Sequence, residues 1–154
     1  MKTTKILFVC LGNICRSPAA EGVMKKLAAG LPVEIQSAGT AGYHIGELPD
    51  IRMRSHARKR GYELVSHAQQ FNPSKHFEQF DHIVAMDDNN LSDLKAMDKK
   101  KQYQHKLSLM TDYSRTMDVH GVPDPYYGGP EGFEHVLDIL EDACGGLLKT
   151  VDAQ

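Results

Sequence analysis

Short unbroken apolar runs alternate along the chain with stretches in which apolar residues return every three or four positions. Lys5 to Cys10 (KILFVC) is the first such run, β-branched and aromatic, the pattern of a strand covered on both faces in a parallel sheet. After Leu11-Gly12-Asn13-Ile14-Cys15-Arg16, the pair Ser17-Pro18 reads as N-cap and first helical residue. The helix it opens runs over about 19–29, with Val23, Met24 and Leu27 on one face. Gly30-Leu31-Pro32 breaks that helix, and Val33 to Ala38 alternates as a second strand before Gly39-Thr40-Ala41-Gly42. A helix is expected over Ile51 to Arg60, closed by Gly61, followed by a short extended piece around Glu63 to Val65. His82 to Met86 reads as a strand, Asn89 to about Asp98 as an amphipathic helix behind the acidic Asp87-Asp88 pair, and Lys106 to Met110 as the last strand. Residues 111–132 show no convincing period, and a final helix is expected from about Glu131 to Thr150. An irregular stretch of about twenty residues inside a compact domain is usually functional or mobile.

This alternation predicts one α/β domain over residues 1–154: a small three-layer fold with a four-stranded, mainly parallel sheet, helices on both faces and right-handed crossovers. Sites in such sheets form at the carboxyl ends of strands, where Cys10 and the long irregular stretch both fall.

Composition narrows the function. With 18 Lys+Arg against 20 Asp+Glu the net charge is −2, which removes the electrostatic case for nucleic-acid binding. The run Lys99-Lys100-Lys101 reads as solvated surface. Three cysteines, two close together and Cys144 distant, imply no disulfide framework and so a reducing compartment. No signal peptide or membrane span is evident, and a cytoplasmic protein is expected. The eight histidines, His44, His56, His67, His76, His82, His105, His120 and His135, lack ligand spacing, so neither metal nor cofactor is implied.

The chemistry concentrates at Cys10. Five residues separate it from Arg16, just before a helix N-terminus. A loop of that length can curl around a tetrahedral oxyanion with the N–H groups of Leu11, Gly12, Asn13, Ile14 and Cys15 pointing inward. Gly12 permits close backbone approach, Asn13 tolerates left-handed backbone, and Arg16 offers a bidentate fork for two phosphate oxygens. The same positive environment favours the Cys10 thiolate, a nucleophile aimed at phosphorus. Ser17 can donate its hydroxyl to the sulfur and help it leave again. A phosphocysteine route also needs an acid for the leaving group. Asp124, stiffened between Pro123 and Pro125, is the candidate; a nearby phosphate anion favours its acid form, and it can then serve as base toward water.

Cys-Leu-Gly-Asn-Ile-Cys-Arg-Ser (Cys10 to Ser17) together with Asp-Pro-Tyr-Tyr (Asp124 to Tyr127) resembles the phosphate loop and acid motif of the low-molecular-weight protein tyrosine phosphatases, and the likeness spans nearly the whole chain. The resemblance implies the family's fold with its phosphate loop after strand 1. It also implies Cys10 as nucleophile, Arg16 as phosphate clamp and Asp124 as general acid, then base. It implies a supporting network of Asn13, Ser17, Ser37 and His67, an aromatic rim of Tyr43, Tyr126 and Tyr127, and a mouth shaped by Leu11, Ile14, His44, Glu47 and Asp50. Position 43 is Tyr where other members carry Trp. Expected partners are phosphotyrosine proteins, an autophosphorylating tyrosine kinase among them, with phosphate and vanadate as inhibitors and neither nucleic acid nor membrane. A deep nucleophile beneath an aromatic rim suits a long phosphoaryl group better than a short seryl one.

Three rivals remain. Thiol-dependent arsenate reductases share the loop but relay electrons through two further cysteines; residues 82–90 hold none, and Cys144 has no partner nearby in sequence. Protein-arginine phosphatases carry Thr where Ile14 stands, so the bulkier Ile14 argues for tyrosine. A non-catalytic phosphotyrosine-binding module needs neither the thiol nor the acid. Cys15 is additionally expected to form a reversible disulfide that shields Cys10 from overoxidation.

Overall fold

The computed structural model describes residues 2–125 and 128–152. Its sheet has four strands in the order β2-β1-β3-β4, all paired in parallel: β1 (Thr4–Cys10), β2 (Val33–Gly39), β3 (His82–Ala85) and β4 (Leu107–Leu109). Because side chains alternate along a strand, Ile6, Phe8 and Cys10 enter one core and Leu7 and Val9 the other. On the first side lie α1 (Arg16–Leu27), α2 (Ile51–Lys59) and α5 (Pro130–Asp152), through Val23, Met24, Met53, Val136 and Leu140. On the second lie α3 (Pro73–Gln79) and α4 (Asp88–Met97), through Phe77 and Leu94. With both faces covered, β1 is apolar throughout its buried length, and each large side chain buried there contributes about 1.5–3 kcal/mol.

Several boundaries depart from the sequence pattern. Ser17 is not the N-cap of α1: the helix starts at Arg16, the cap position is Cys15, and no side chain caps it. The Ser17 hydroxyl is engaged with Cys10 instead. Residues 62–69 form no strand, so the extended piece at 63–65 does not join the sheet; the link there is an isolated bridge between Gly39 and Gln70. The pattern also missed α3, whose seven residues are too few to show a helical period. Its caps carry the signal: Asn72 accepts from the Ser74 N–H, and Pro73 occupies the first turn.

The start of the stretch between β4 and α5 is fixed on α5. Met110–Tyr113 form a 3₁₀ turn, and Asp142 accepts from the backbone N–H groups of Arg115 (3.1 Å), Thr116 (3.2 Å) and Met117 (3.1 Å). At Gly146 an added Cβ would overlap the Tyr113 carbonyl, and at Gly145 the Arg115 guanidinium. Among the described residues no helix is long and apolar enough to cross a membrane.

Candidate active site

Cys10 closes β1 and Arg16 opens α1, so the intervening five residues wrap the carboxyl end of the sheet beneath a helix N-terminus. Asn13 takes the left-handed conformation at φ 57°, which turns the chain back on itself. The loop's carbonyls face outward and are held from outside. Thr40 N–H donates to Cys10 O (2.9 Å), Ala41 N–H to Leu11 O (3.0 Å) and Asp50 N–H to Ile14 O (2.6 Å). Among the described residues, none of the N–H groups of Leu11 to Cys15 donates to a protein acceptor, which leaves an anion-sized nest of donors. This approach of β2 to the loop demands glycine at position 39, where a Cβ would sit 2.7 Å from Leu11 O and 3.1 Å from Asn13 N.

Arg16 is 3% exposed. Its Nη1 donates to Asp87 Oδ2 (2.6 Å) and to the Val122 carbonyl (3.0 Å), and its Nη2 stands 3.8 Å from Asp124 Oδ2. Burial works against its charge, but Cys10, Asp87 and Asp124 outweigh burial and hold the guanidinium more firmly protonated than usual. Asp87 itself caps α4 by accepting from the Asn90 N–H (2.8 Å). Val122 N–H donates to Met86 O (2.7 Å), so the Asp124 segment hangs from the end of β3 and from Arg16 together.

A line of polar groups runs behind the thiol. Cys10 Sγ lies 3.0 Å from Ser17 Oγ, and Asn13 Nδ2 reaches both Ser17 Oγ (2.8 Å) and Ser37 Oγ (2.9 Å). Asn13 Oδ1 accepts from the Gln69 N–H (2.9 Å), and Ser37 donates to Glu21 Oε1 (2.6 Å). His67 stands outside this network, contrary to the sequence expectation: its Nδ1 lies 3.0 Å from the Gly46 carbonyl, and Gln69 and Glu21 hold the places assigned to it. Glu21, Gln69 and Asp87 were not singled out from sequence. Glu21 looks like any helix carboxylate four residues before a lysine, and only its apolar neighbours Ala19, Ala20 and Val23 hint that it faces inward.

A cavity of about 300 Å³ is lined by Cys10, Leu11, Gly12, Ile14, Cys15, Arg16, Tyr43, His44 and Asp124. Tyr43 is exposed at the mouth, and His44 there contacts Glu47 (2.7 Å). Asp50, expected at the rim, is instead the N-cap of α2, accepting from the backbone of Arg52 (2.8 Å) and Met53 (3.2 Å). Burial opposes its ionisation, yet the bonds from Arg52 and Met53 hold its carboxyl below the usual range. Tyr126 and Tyr127 lie outside the described residues. Cys15 is buried beside the cavity. Burial first, then the charges of Asp50 and Cys10, push its thiol strongly up. Cys144 sits fully buried in α5 with its Sγ toward the Ala20 carbonyl (3.9 Å), a core thiol rather than a relay partner.

Cys10, the buried Arg16 and Asp124 thus line one cavity at the carboxyl end of a parallel α/β sheet. The family model described as low molecular weight phosphotyrosine protein phosphatase matches residues 5–154, and the chain belongs to that family. A Streptomyces coelicolor protein named low molecular weight protein-tyrosine-phosphatase is 42% identical over 159 residues, covering 99% of this chain and 96% of its own. Among solved structures, a protein tyrosine phosphatase from Entamoeba histolytica with Hepes in the active site superposes with a TM-score of 0.94 at 46% identity, covering 98% of both chains. Vibrio vulnificus Wzb in complex with benzylphosphonate superposes with a TM-score of 0.84 at 27% identity, covering 96% of this chain and 98% of that one.

Proposed function

We propose that this chain, acting as a single domain, hydrolyses phosphotyrosine in proteins, and simple aryl phosphates, through a phosphocysteine intermediate. The phosphate oxygens take the N–H groups of Leu11 to Cys15 and the Arg16 fork. Cys10 Sγ attacks phosphorus, the P–O bond to the phenol breaks, and Asp124 delivers its proton to the departing oxygen. Water then attacks phosphorus, Asp124 takes its proton, and Cys10 leaves as a thiolate that Ser17 stabilises. Inorganic phosphate is the product.

The observation that carries this reading is the contact of Arg16 Nη2 with Asp124 Oδ2 at 3.8 Å, which sets an acid across the same cavity that has Cys10 on its floor. A module that only bound phosphotyrosine would need neither the Cys10 thiol nor the Asp124 acid. The Hepes in the Entamoeba active site, which carries a sulfonate, and the benzylphosphonate bound to the Vibrio protein are support for a site that accepts a tetrahedral oxyanion, the second with an aryl group attached. By the same chemistry phosphate and vanadate are inhibitors. Partners are phosphotyrosine proteins, including an autophosphorylating tyrosine kinase. The three buried free thiols suit a reducing, cytoplasmic setting. Cys15, buried within the same loop, captures an oxidised Cys10 as a disulfide.

The test is phosphate release from matched phosphotyrosine, phosphoserine and phosphoarginine peptides, with reductant and a chelator, for wild type and Cys10→Ser. Tyrosine-selective release that falls at least about 10³-fold in the variant is expected. Release from none of the three, despite phosphotyrosine binding, would establish a binding module. Selectivity for phosphoarginine would mean that Ile14 does not decide the substrate.

A further inference from the structure

The polar line behind Cys10 has one self-consistent direction, and its far end is Glu21. The Gln69 N–H can only donate, so Asn13 must present Oδ1 to it at 2.9 Å. Both hydrogens of Asn13 Nδ2 are thereby committed to Ser17 Oγ (2.8 Å) and Ser37 Oγ (2.9 Å). Each serine accepts from Asn13 and keeps its own proton to give. That of Ser37 goes to Glu21 Oε1 at 2.6 Å, and that of Ser17 has Cys10 Sγ at 3.0 Å as its partner. Glu21, 5% exposed, is held at its other oxygen by the Lys25 ammonium at 2.6 Å.

We propose that Glu21 is a positioning residue for the reaction: by taking the Ser37 proton it keeps the Ser37 oxygen an acceptor, which together with the Gln69 N–H holds Asn13 in place as a donor to both serines, and so keeps the Ser17 proton on the Cys10 sulfur. The proposal rests on the phosphocysteine reading above. Glu21 touches neither the sulfur nor the cavity, and its influence passes through Ser37, Asn13 and Ser17. The Ser17 donation matters most when the sulfur carries full charge, which is when the thiolate leaves phosphorus. Glu21 therefore acts chiefly on the second step.

Glu21→Gln changes no volume and reverses the direction. The Lys25 ammonium, 2.6 Å from the other carboxylate oxygen, can only donate, so the new amide keeps this contact by turning its oxygen toward Lys25 and its NH₂ toward Ser37, into a hydroxyl that already accepts from Asn13. The Ser37 proton then has no acceptor, two donors compete for the Ser37 oxygen, and Asn13, still held by the Gln69 N–H, loses its hold on Ser37. Breakdown of the phosphocysteine is expected to slow about tenfold, as for weakening one hydrogen bond to a charged group, with its formation little changed. With breakdown limiting, kcat and KM fall together, kcat/KM holds, and inhibition by inorganic phosphate is unaltered.

Adding Lys25→Met to Glu21→Gln removes the competing donor, lets the amide oxygen accept from Ser37 again, and is expected to restore kcat. A residue that merely shaped the loop would instead lower kcat/KM and weaken phosphate inhibition. That result, an unchanged kcat, or a double variant no better than Glu21→Gln overturns the proposal. Alkylation of Cys10 by iodoacetate at a pH low enough that most of Cys10 is thiol needs no turnover and reads the same donation; there it is expected to be several-fold slower in Glu21→Gln and restored in the double variant, while at the higher pH of the kinetic assay, with Cys10 fully ionised, it is unchanged. A wild type that releases no phosphate from phosphotyrosine peptides would overturn the phosphatase reading, and the alkylation rates would still decide the role of Glu21.

Discussion

Between Cys10 and Ser17 the outward carbonyls of Cys10, Leu11 and Ile14 have backbone partners, and Asn13, Arg16 and Ser17 are all buried. Between Ser114 and Pro125 the chain is held at separated points, the contact of His120 Nε2 with Asp88 Oδ2 (2.7 Å) among them. Asp142 takes three N–H groups at the start, Gly121 N–H donates to Thr111 Oγ1 at 2.9 Å, and Val122 is tied to Met86 and Arg16. Beyond Val122 the Asp124 side chain is 48% exposed. The two regions meet across one cavity but answer different demands. A nucleophile and its anion donors work best when fixed before substrate arrives, because donors that must reorganise during reaction lose their advantage. The acid must meet a leaving group that enters from solvent, so its segment is anchored behind and open in front.

Asp124→Ala tests the open side and carries the largest expected effect in this comparison. Turnover of poorly activated phenyl phosphates is expected to fall about 10²–10⁴-fold, with a smaller loss for phenols that leave without a proton. Inhibition by phosphate is expected to persist, since the nest is built elsewhere. Equal losses for good and poor leaving groups would remove Asp124 from proton transfer.

Gly39→Ala tests the fixed side without touching a reactive atom. Its Cβ would meet the Leu11 carbonyl at 2.7 Å and Asn13 N at 3.1 Å, both backbone and unable to swing away. A loss of about 1–3 kcal/mol in urea unfolding is expected, together with weaker phosphate inhibition. Full stability with intact inhibition would show that the loop is softer than its bonding indicates.

Cys15→Ser sharpens the contrast most gently, because turnover under reducing conditions is expected to stay near wild type. After peroxide treatment followed by thiol reductant, wild type is expected to recover activity and the variant to recover much less. Equal recovery would leave Cys15 as a packing residue of the loop.

β1 was legible because burial on both faces leaves only apolar residues from Ile6 to Cys10, and β2 because its apolar and polar residues alternate. The Cys10 loop was legible because its spacing is itself the geometry of an anion nest. What escaped notice is set by partners far away in sequence. Asp50 reads as a rim carboxylate until the start of α2 beneath it is seen. His67 is a plausible member of the Ser37 network by position, yet the next turn of chain brings the Gln69 N–H there instead. Ser17 before a proline has every mark of an N-cap, but the helix begins two residues earlier, with Cys15 at the cap position, and the Ser17 hydroxyl is engaged with Cys10. Glu21 is hidden for the opposite reason: its sequence setting is that of a solvated salt-bridging helix, and only the packing of β2 against α1 buries it.

The glycine pair inside α5 carries a different kind of information. An interior glycine costs a helix about 1 kcal/mol relative to alanine, so two in succession are a concession by α5. In return, the chain leaving β4 lies directly on the helix backbone, with Tyr113 and Arg115 where side chains at Gly146 and Gly145 would be. That contact sets where the segment ending in Asp124 begins its path. Mutational tolerance should therefore be mapped by occupied volume as well as by reactive atoms. A methyl group at Gly146, on a helix that contributes nothing to the chemistry, would push on the start of the segment that presents the acid.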